Sequence, residues 1–247
     1  MSSLVLFDGW KNMATFILVP GAGGVAWYWH LVVPLLEEAK HEAIAVDLPG
    51  DDQQAGLSAY ANRVVDEIGT RRVILAAQSL GGFTAPLVCA QVQVRMLVLI
   101  NAMIPLPGET AGQWWDNTGS IAARREAAQR GGYSTEFDLA TYFLHDIPPE
   151  IIKQGEPHQR PEADIVFGEP CRFEAWPKVP TRVIAGSDDR FFPIEFQRQV
   201  ARERLNVTVD ELPGGHLIAL SNPRGLANQL LDYVRAPAVP NPNARRV

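Results

Sequence analysis

The chain has 247 residues, of which 47% are hydrophobic and 20% charged, a composition typical of a globular protein with a sizeable core. A formal net charge of −6 supplies no basic surface, so neither nucleic acid nor an anionic membrane is expected as a partner. Two cysteines and five scattered histidines predict neither a disulfide framework nor a metal site.

The N-terminal segment is predicted to add little to the fold. Met13 directly precedes the first predicted strand, so residues 1–12 are expected to be a disordered extension, and the choice between Met1 and Met13 as natural start is left open. The segment lacks the long apolar run of a secretory signal, and no run reaches the roughly 18 apolar residues of a membrane span. We therefore expect a cytoplasmic protein that does not associate with membranes.

Short apolar segments alternate with helical patterns along the chain. Most are apolar without a break, which is typical of parallel strands covered on both faces, whereas the last alternates as an edge strand would. The alternation predicts an α/β fold with a mostly parallel, doubly wound sheet of about six strands. The predicted strands are residues 16–20, 42–47, 72–77, 96–101, 182–186 and 206–212. The predicted helices are residues 27–39, 58–68, 80–92, 194–205 and 223–234.

Residues 105–180 interrupt this alternation, because they contain many aromatic residues and no convincing strand. So long and apolar a segment is predicted to be a helical lid inserted between two strands, although ordinary core aromatics of extra helices would give the same pattern. The α/β core is then residues 13–104 and 181–235. The proline-rich tail, residues 236–247, is predicted to be disordered.

The segment A-A-Q-S-L-G-G places Ser79 between a strand and a helix. A nucleophile on such a sharp turn needs small neighbours two residues away, and Ala77 and Gly81 meet that need. A serine that only caps the helix is the alternative. The adjacent helix start favours negative charge beside Ser79, so the context favours a nucleophile.

A serine nucleophile requires a base and an acid that orients the base. His216 follows the last predicted strand in P-G-G-H-L, and Asp188 and Asp189 follow the preceding strand in V-I-A-G-S-D-D-R. All three positions are at the ends of strands, so the sheet is expected to bring them to the same edge as Ser79.

The glycine-rich turn P-G-A-G-G, residues 20–24, follows the first strand. Its open backbone suits an oxyanion hole made by the amides of Ala22 and Leu80. A phosphate cradle is the alternative, but the G-x-G-x-x-G spacing and the lysine of a P-loop are absent from this turn. No cofactor is expected.

With these segments, residues 16 to about 234 resemble the α/β-hydrolase superfamily. Within it, the chain is similar to the branch of small methylesterases and hydroxynitrile lyases that includes plant salicylate methylesterases and their bacterial esterase relatives. The resemblance rests on F-I-L-V-P-G-A-G-G-V-A-W-Y-W, Q-S-L-G-G, D-D-R-F-F-P and G-G-H-L-I-A-L. It implies the triad Ser79, Asp189 and His216, with Asp189 rather than Asp188 as the acid. It also implies oxyanion roles for the amides of Ala22 and Leu80.

Some positions depart from the pattern of that branch. Pro20 replaces the usual histidine before the oxyanion turn, and Ala77 and Gln78 replace the usual glycine and histidine of the elbow. The lyases of the branch usually carry a lysine after the catalytic histidine and a threonine in the oxyanion turn. Here those positions are Leu217 and Gly21, which favours hydrolysis.

The sequence thus predicts a cofactor-independent serine hydrolase that cleaves a carboxylic ester of a small, fairly apolar substrate through an acyl-enzyme. The alternatives are a carbon–carbon lyase of the hydroxynitrile-lyase type and a non-hydrolytic binding protein. Whether the substrate is an ester, thioester, lactone or amide stays open, as does the oligomeric state, a homodimer included. The candidate pocket residues are Gly21, Gln78, Trp114, Trp115 and Leu217, the two tryptophans being equally well explained as lid core.

Overall fold

A parallel sheet of six strands lies at the centre of the computed structural model, which describes residues 13–235. The strand order is β2-β1-β3-β4-β5-β6, and every neighbouring pair is parallel. The predicted α/β class is confirmed, and the alternating last strand lies at an edge of the sheet. The strands are β1 (Thr15–Val19), β2 (Glu42–Ala45), β3 (Val73–Gln78), β4 (Met96–Ile100), β5 (Thr181–Gly186) and β6 (Val209–Leu212).

The unbroken apolar character of the inner strands reflects two separate cores, one on each face of the sheet. Successive side chains of a strand point to opposite faces. In β1, Ile17 and Val19 enter one buried cluster, while Phe16 and Leu18 enter the other. Strands β3 and β4 divide in the same way. Since both faces are covered, there is no solvent face on which polar residues would alternate.

Outside the lid, the predicted helices are present with one clear exception, and the short helix Ile218–Ser221 was not predicted. The segment 27–39 forms a 3₁₀ helix (Ala26–Trp29) and a separate short helix, because Pro34 lacks the amide donor that a continuous helix would need there. The helices outside residues 105–180 are α1 (Val33–Glu38), α2 (Leu57–Ile68), α3 (Gly81–Gln91), α9 (Ile194–Leu205), α10 (Ile218–Ser221) and α11 (Pro223–Arg235). Within residues 13–235, none of the helices has both the length and the apolar character required to cross a membrane.

Residues 105–180 are helical and contain no strand, all of them being described. Here this segment is called the lid, and its function as a lid stays a prediction. The buried ion pair between Glu109 and Arg204 of α9 fastens its first residues to the core. The predictions for residues 1–12 and 236–247 lie outside the described residues. The helices of the lid are α4 (Ala111–Thr118), α5 (Ser120–Gly131), α6 (Leu139–Tyr142), α7 (Pro149–Gly155) and α8 (Asp164–Gly168), with a 3₁₀ helix at Glu156–His158.

Candidate active site

The chemistry-bearing residues meet at one edge of the sheet. Ser79 directly follows β3, Asp189 lies three residues after β5, and His216 lies four residues after β6. Because all six strands are parallel, these strand ends share the carboxyl edge of the sheet. The same edge receives the glycine-rich turn after β1.

Ser79 occupies a sharp turn between β3 and α3. Its φ of 50° lies in the left-handed region, an uncommon conformation for a residue with a side chain. The Ser79 carbonyl accepts hydrogen bonds from the amides of Gly82 and Met103, both at 3.0 Å, and its own amide donates to Ile100 O at 3.2 Å. These bonds hold the strained backbone in place and present the hydroxyl beside the start of α3.

A continuous hydrogen-bonded chain joins the three side chains. Ser79 Oγ lies 3.0 Å from Nε2 of His216, and Nδ1 of His216 lies 2.8 Å from Oδ2 of Asp189. A carboxylate oxygen only accepts, so the Asp189 contact requires a proton on Nδ1, which leaves Nε2 free to accept from the serine hydroxyl. The imidazole is thus oriented as a base toward Ser79.

The Asp189 carboxylate is buried and bound on both oxygens. Oδ1 accepts from the amides of Phe191 and Phe192, both at 2.8 Å, and Oδ2 accepts from Gln197 Nε2 at 3.2 Å as well as from His216. Asp188, in contrast, is exposed and accepts from the amide of Gly214 at 3.0 Å. Of the two aspartates that the sequence offered, only Asp189 contacts the histidine.

Asn101 is part of the site, although the sequence reading did not single it out. It is fully buried at the end of β4 with a positive φ of 44°. Its side-chain amide donates to the carbonyls of Gly215 and His216, both at 3.0 Å, and its oxygen accepts from the amide of Gly186 at 2.7 Å. Asn101 therefore ties the end of β5, where the acid loop (residues 187–193) begins, to the histidine loop (residues 213–217). The sequence offered one signal for Asn101, namely a polar residue directly after a buried strand.

The glycine-rich turn approaches Ser79 closely. The amide of Gly24 donates to Gly21 O at 3.0 Å, which places Ala22 and Gly23 at the centre of the turn. A Cβ at position 21 would lie 2.8 Å from the Cβ of Ser79, so the approach requires glycine. Within residues 13–235, the amides of Ala22 and Leu80 donate to no protein acceptor. Their oxyanion roles stay predictions.

Aromatic rings surround the imidazole of His216. The rings of Phe143, Phe191 and Phe192 meet it edge to face, with centroid distances of 4.8, 5.0 and 5.0 Å. Phe143 belongs to the lid, whereas the other two follow Asp189 in the acid loop. The surroundings of the base are therefore apolar, and Ser79 is only 9% exposed. Such an enclosure suits a substrate with an apolar body.

The other candidate pocket residues differ in their surroundings. Gln78 is buried, and its Nε2 donates to the His216 carbonyl at 3.2 Å, so it supports the histidine loop. Trp114 has no exposed surface, donates from Nε1 to Ile104 O at 3.1 Å and packs in a core cluster, as its alternative interpretation expects. A role in a pocket wall stays a prediction. Trp115 is half-buried against Phe191, and Leu217 is half-buried against a core cluster.

Chemically, the arrangement can activate a hydroxyl, move its proton to an oriented imidazole and hold the resulting imidazolium beside a carboxylate. Among residues 13–235, no cluster of three or more His, Cys, Asp or Glu side chains is arranged to hold a metal ion. None of these three capacities depends on a metal or a cofactor.

Comparison with known proteins finds relatives that match most of the chain. A pyrethroid hydrolase of Sphingobium wenxiniae is 28% identical, over 92% of this chain and 90% of the relative. An alpha-hydroxynitrile lyase of Arabidopsis thaliana is 24% identical, over 87% of this chain and 95% of the relative. The crystal structure of polyneuridine aldehyde esterase, a protein known from Rauvolfia serpentina, superposes with a TM-score of 0.72 at 20% identity, over 90% of this chain and 99% of that one.

The expected resemblance to the methylesterase and hydroxynitrile lyase branch is confirmed, since plant methylesterases are also among the relatives. Most of these relatives are named as esterases or hydrolases, which supports carboxylic ester hydrolase activity. The model of the alpha/beta hydrolase family matches residues 16–229. The chain therefore belongs to the alpha/beta hydrolase family.

Proposed function

We propose that the protein is a serine esterase that cleaves a carboxylic ester of a small, fairly apolar substrate through an acyl-enzyme. The proposal is carried by the hydrogen-bonded chain from Ser79 Oγ through His216 to Asp189, with distances of 3.0 and 2.8 Å. A helix-capping serine would not need an oriented, buried imidazole on its hydroxyl.

The reaction starts with attack of Ser79 Oγ on the ester carbonyl carbon, while the hydroxyl proton passes to Nε2 of His216. Asp189 stabilises the imidazolium, and the amides of Ala22 and Leu80 bind the oxygen that becomes negative. The tetrahedral species then collapses, and the leaving alcohol takes the proton from Nε2. A water molecule, activated by the same nitrogen, hydrolyses the acyl-enzyme and regenerates Ser79.

The apolar character of the substrate is inferred from the enclosure of the base. Three phenylalanine rings surround His216, so a bulky charged group beside the scissile bond would lose its hydration without gaining a partner there. The relatives named as pyrethroid hydrolase and polyneuridine aldehyde esterase support an ester as the substrate class.

The decisive experiment combines kinetics with active-site labelling. We expect a burst of p-nitrophenol from p-nitrophenyl acetate and a covalent fluorophosphonate adduct that mass spectrometry maps to Ser79. The variant Ser79→Ala should lose both, with turnover reduced by about 10⁶-fold. A wild-type protein that forms no adduct would exclude the acyl-enzyme mechanism.

A carbon–carbon lyase is the second candidate, because one relative of the chain is named an alpha-hydroxynitrile lyase. Leu217 stands where the resemblance leads one to expect the lysine of a lyase, so no cation directly follows His216 to hold a departing cyanide. Cyanide release from a cyanohydrin, without hydrolysis of any ester, would favour the lyase. A binding protein would retain its ligand affinity in Ser79→Ala and show no turnover before the substitution.

A further inference from the structure

The end of the lid is hydrogen bonded directly to the turn proposed to form the oxyanion hole. The amide of Gly23 donates to Oε2 of Glu162 at 2.6 Å, and Nε of Arg160 donates to the carbonyl of Gly23 at 2.7 Å. Both polar groups of this one residue are therefore bound by lid side chains. The partners are separated by more than 130 residues in the sequence.

The backbone of the lid also packs against the turn. Gly23 has a φ of +82°, and a Cβ on it would lie 2.6 Å from the carbonyl oxygen of Arg160. The amide of Ala163 donates to Gly50 O at 2.7 Å, which fastens the same stretch of lid to the core beside the turn. The contact therefore involves a fixed segment rather than the tip of a free side chain.

The two lid side chains are held by the core on their other sides. Two guanidinium nitrogens of Arg160 donate to the Asp47 carboxylate at 3.2 and 3.3 Å, and Asp47 in turn accepts from the amide of Ala26 at 3.0 Å. The hydroxyl of Tyr60 donates to Oε1 of Glu162. Each lid side chain thus bridges the turn and a residue beyond it, a geometry that restricts rotation of the peptide between Ala22 and Gly23.

The central peptide of this turn needs such a restraint. Ala22 is exposed and is flanked by glycines, and the positive φ of Gly23 is typical of the third residue of a type II turn. Pro20, which directly precedes Gly21, has no side-chain donor that could hold the turn. Among residues 13–235, the only side-chain hydrogen bonds of Gly23 are the one that its amide donates to Glu162 and the one that its carbonyl accepts from Arg160.

We propose that Arg160 and Glu162 are positioning residues. They fix the peptide between Ala22 and Gly23 and thereby, through the Cα of Ala22, hold the preceding amide of Ala22 in the orientation required for the oxyanion hole. The proposal rests on the serine esterase function proposed above. It means that the lid contributes to the chemical step as well as covering the site. A displaced oxyanion donor weakens binding of the transition state more than binding of the substrate, so the loss should appear in kcat rather than in KM.

The test compares Glu162→Ala with the conservative Glu162→Gln. The readouts are kcat and KM with p-nitrophenyl acetate and the inhibition constant of an alkyl trifluoromethyl ketone, whose adduct with Ser79 carries an oxyanion. We expect Glu162→Ala to lower kcat and ketone affinity by about 10- to 100-fold each, with KM changed by less than about threefold. Glu162→Gln should recover most of both, because its amide oxygen still accepts from Gly23.

The matched control is Glu126→Ala, which removes an exposed lid glutamate that forms an ion pair with Arg130 and does not contact the turn. It should leave all three readouts unchanged. If Glu162→Ala does not fold, Arg160→Met decides, because it keeps the apolar stem and removes the donor to Gly23 O. Unchanged kcat and ketone affinity in folded Glu162→Ala or Arg160→Met would overturn the positioning role.

Failure of the proposed function would be recognised separately. A wild-type protein that forms no fluorophosphonate adduct and shows no turnover would overturn the serine esterase and the positioning role together. A wild-type protein that is labelled at Ser79, alongside lid variants of wild-type kcat, would overturn only the positioning role. A parallel loss of kcat and ketone affinity, recovered in Glu162→Gln, would support both.

Discussion

The Asp189 carboxylate and the oxyanion turn serve the same proposed reaction, but different parts of the chain hold them. Among the described residues, every hydrogen bond to the Asp189 carboxylate comes from the acid loop, α9 or the histidine loop. The side-chain hydrogen bonds to Gly23 instead involve two residues of the lid, Arg160 and Glu162. The acid is thus bound only by the core and the catalytic loops, whereas the oxyanion turn is hydrogen bonded to an insertion.

This difference has a practical meaning. A change at Arg160 or Glu162 should alter stabilisation of the oxyanion without altering orientation of the imidazole, because neither residue is hydrogen bonded to the histidine loop, and a change in the acid loop should do the reverse. Substitutions in the lid and in the acid loop can therefore separate the contribution of oxyanion stabilisation to kcat from the contribution of the oriented base. Asp189→Asn, Gly23→Ala and Gln78→Ala test that separation, whereas Glu109→Ala tests how the start of the lid is attached to the core.

Asp189→Asn should have the largest effect on activity. The asparagine side chain carries no negative charge to stabilise the imidazolium, and its NH₂ group cannot accept a hydrogen bond from Nδ1–H of His216. We therefore expect kcat to fall by about 10⁴-fold. The measurement is kcat with p-nitrophenyl acetate, with thermal unfolding to establish that the variant is folded. Asp188→Asn is the matched control and should retain its activity. Equal losses in the two variants would contradict the assignment of Asp189 as the acid.

Glu109→Ala should act on stability and not on chemistry. Its side chain and that of Arg204 are both buried, so removal leaves an unpaired guanidinium in the core, at an expected cost of about 3 kcal/mol in the free energy of unfolding. Denaturation in urea at pH 7 gives this value. The kcat of the folded variant should stay close to that of the wild type, because the pair does not touch the oxyanion turn.

The pair of Glu109 and Arg204 also predicts that the stability of the protein depends on pH. Burial alone would raise the pKa of Glu109, but hydrogen bonds from Arg204, Asn117 and the Leu106 amide hold it below its ordinary value of 4.5. A carboxyl whose pKa is lowered by folding contributes stability above pH 4.5 and loses it as the pH falls through the lower folded value. The stability difference between wild type and Glu109→Ala should therefore shrink in acid. A constant difference would show that the ionised pair contributes nothing.

Gly23→Ala should disturb the oxyanion turn and lower kcat less than Asp189→Asn does. The new Cβ would meet Arg160 O at 2.6 Å, so the turn and the lid must move apart, and kcat should fall by about tenfold. Gly108→Ala is the control, because Gly108 has a similar φ of +80° with no atom within 4 Å of the added Cβ. Both variants should lose about 1 kcal/mol of stability from backbone strain. Only Gly23→Ala should lose ketone affinity.

Gln78→Ala should have the smallest effect. It removes one hydrogen bond to the His216 carbonyl, which still accepts from Asn101 at 3.0 Å. The expected result is a fall in kcat of about threefold, because the lost hydrogen bond is to the histidine loop. The change in ketone affinity should be smaller, because Gln78 packs beside Gly21 of the turn but forms no hydrogen bond with it. A loss confined to ketone affinity would place Gln78 on the oxyanion side.

Much of the fold followed from local signals. Uninterrupted apolar runs identified the strands, and the elbow at Ser79 and the strand-end positions of Asp189 and His216 identified the residues that the structure brings together. The predicted boundaries of strands and helices were wrong where a single residue sets the backbone conformation. Strand β6 begins at Val209 rather than at 206, because Asn206 adopts a left-handed conformation that ends α9.

Asn101 and Glu162 were not predicted from the sequence, and the physical reason is the same for both. Asn101 bonds to the histidine loop more than 110 residues away, and Glu162 bonds to Gly23 across 139 residues. Hydrophobic periodicity contains no information about such polar pairs, since each partner looks like an ordinary loop residue in its own segment. The tryptophans of α4 illustrate the converse, because composition alone could not distinguish the buried Trp114 from the half-buried Trp115.

The bonds of Arg160 and Glu162 to Gly23 also bear on protein engineering. Exchanging lids between homologues is a common way to alter substrate range, and the usual boundaries would be residues 105 and 180. In this chain such an exchange would replace the two side chains that hold residues 20–24 while leaving their partners Asp47 and Tyr60 behind. A productive chimera should therefore transfer the turn, the lid and both partners as one unit.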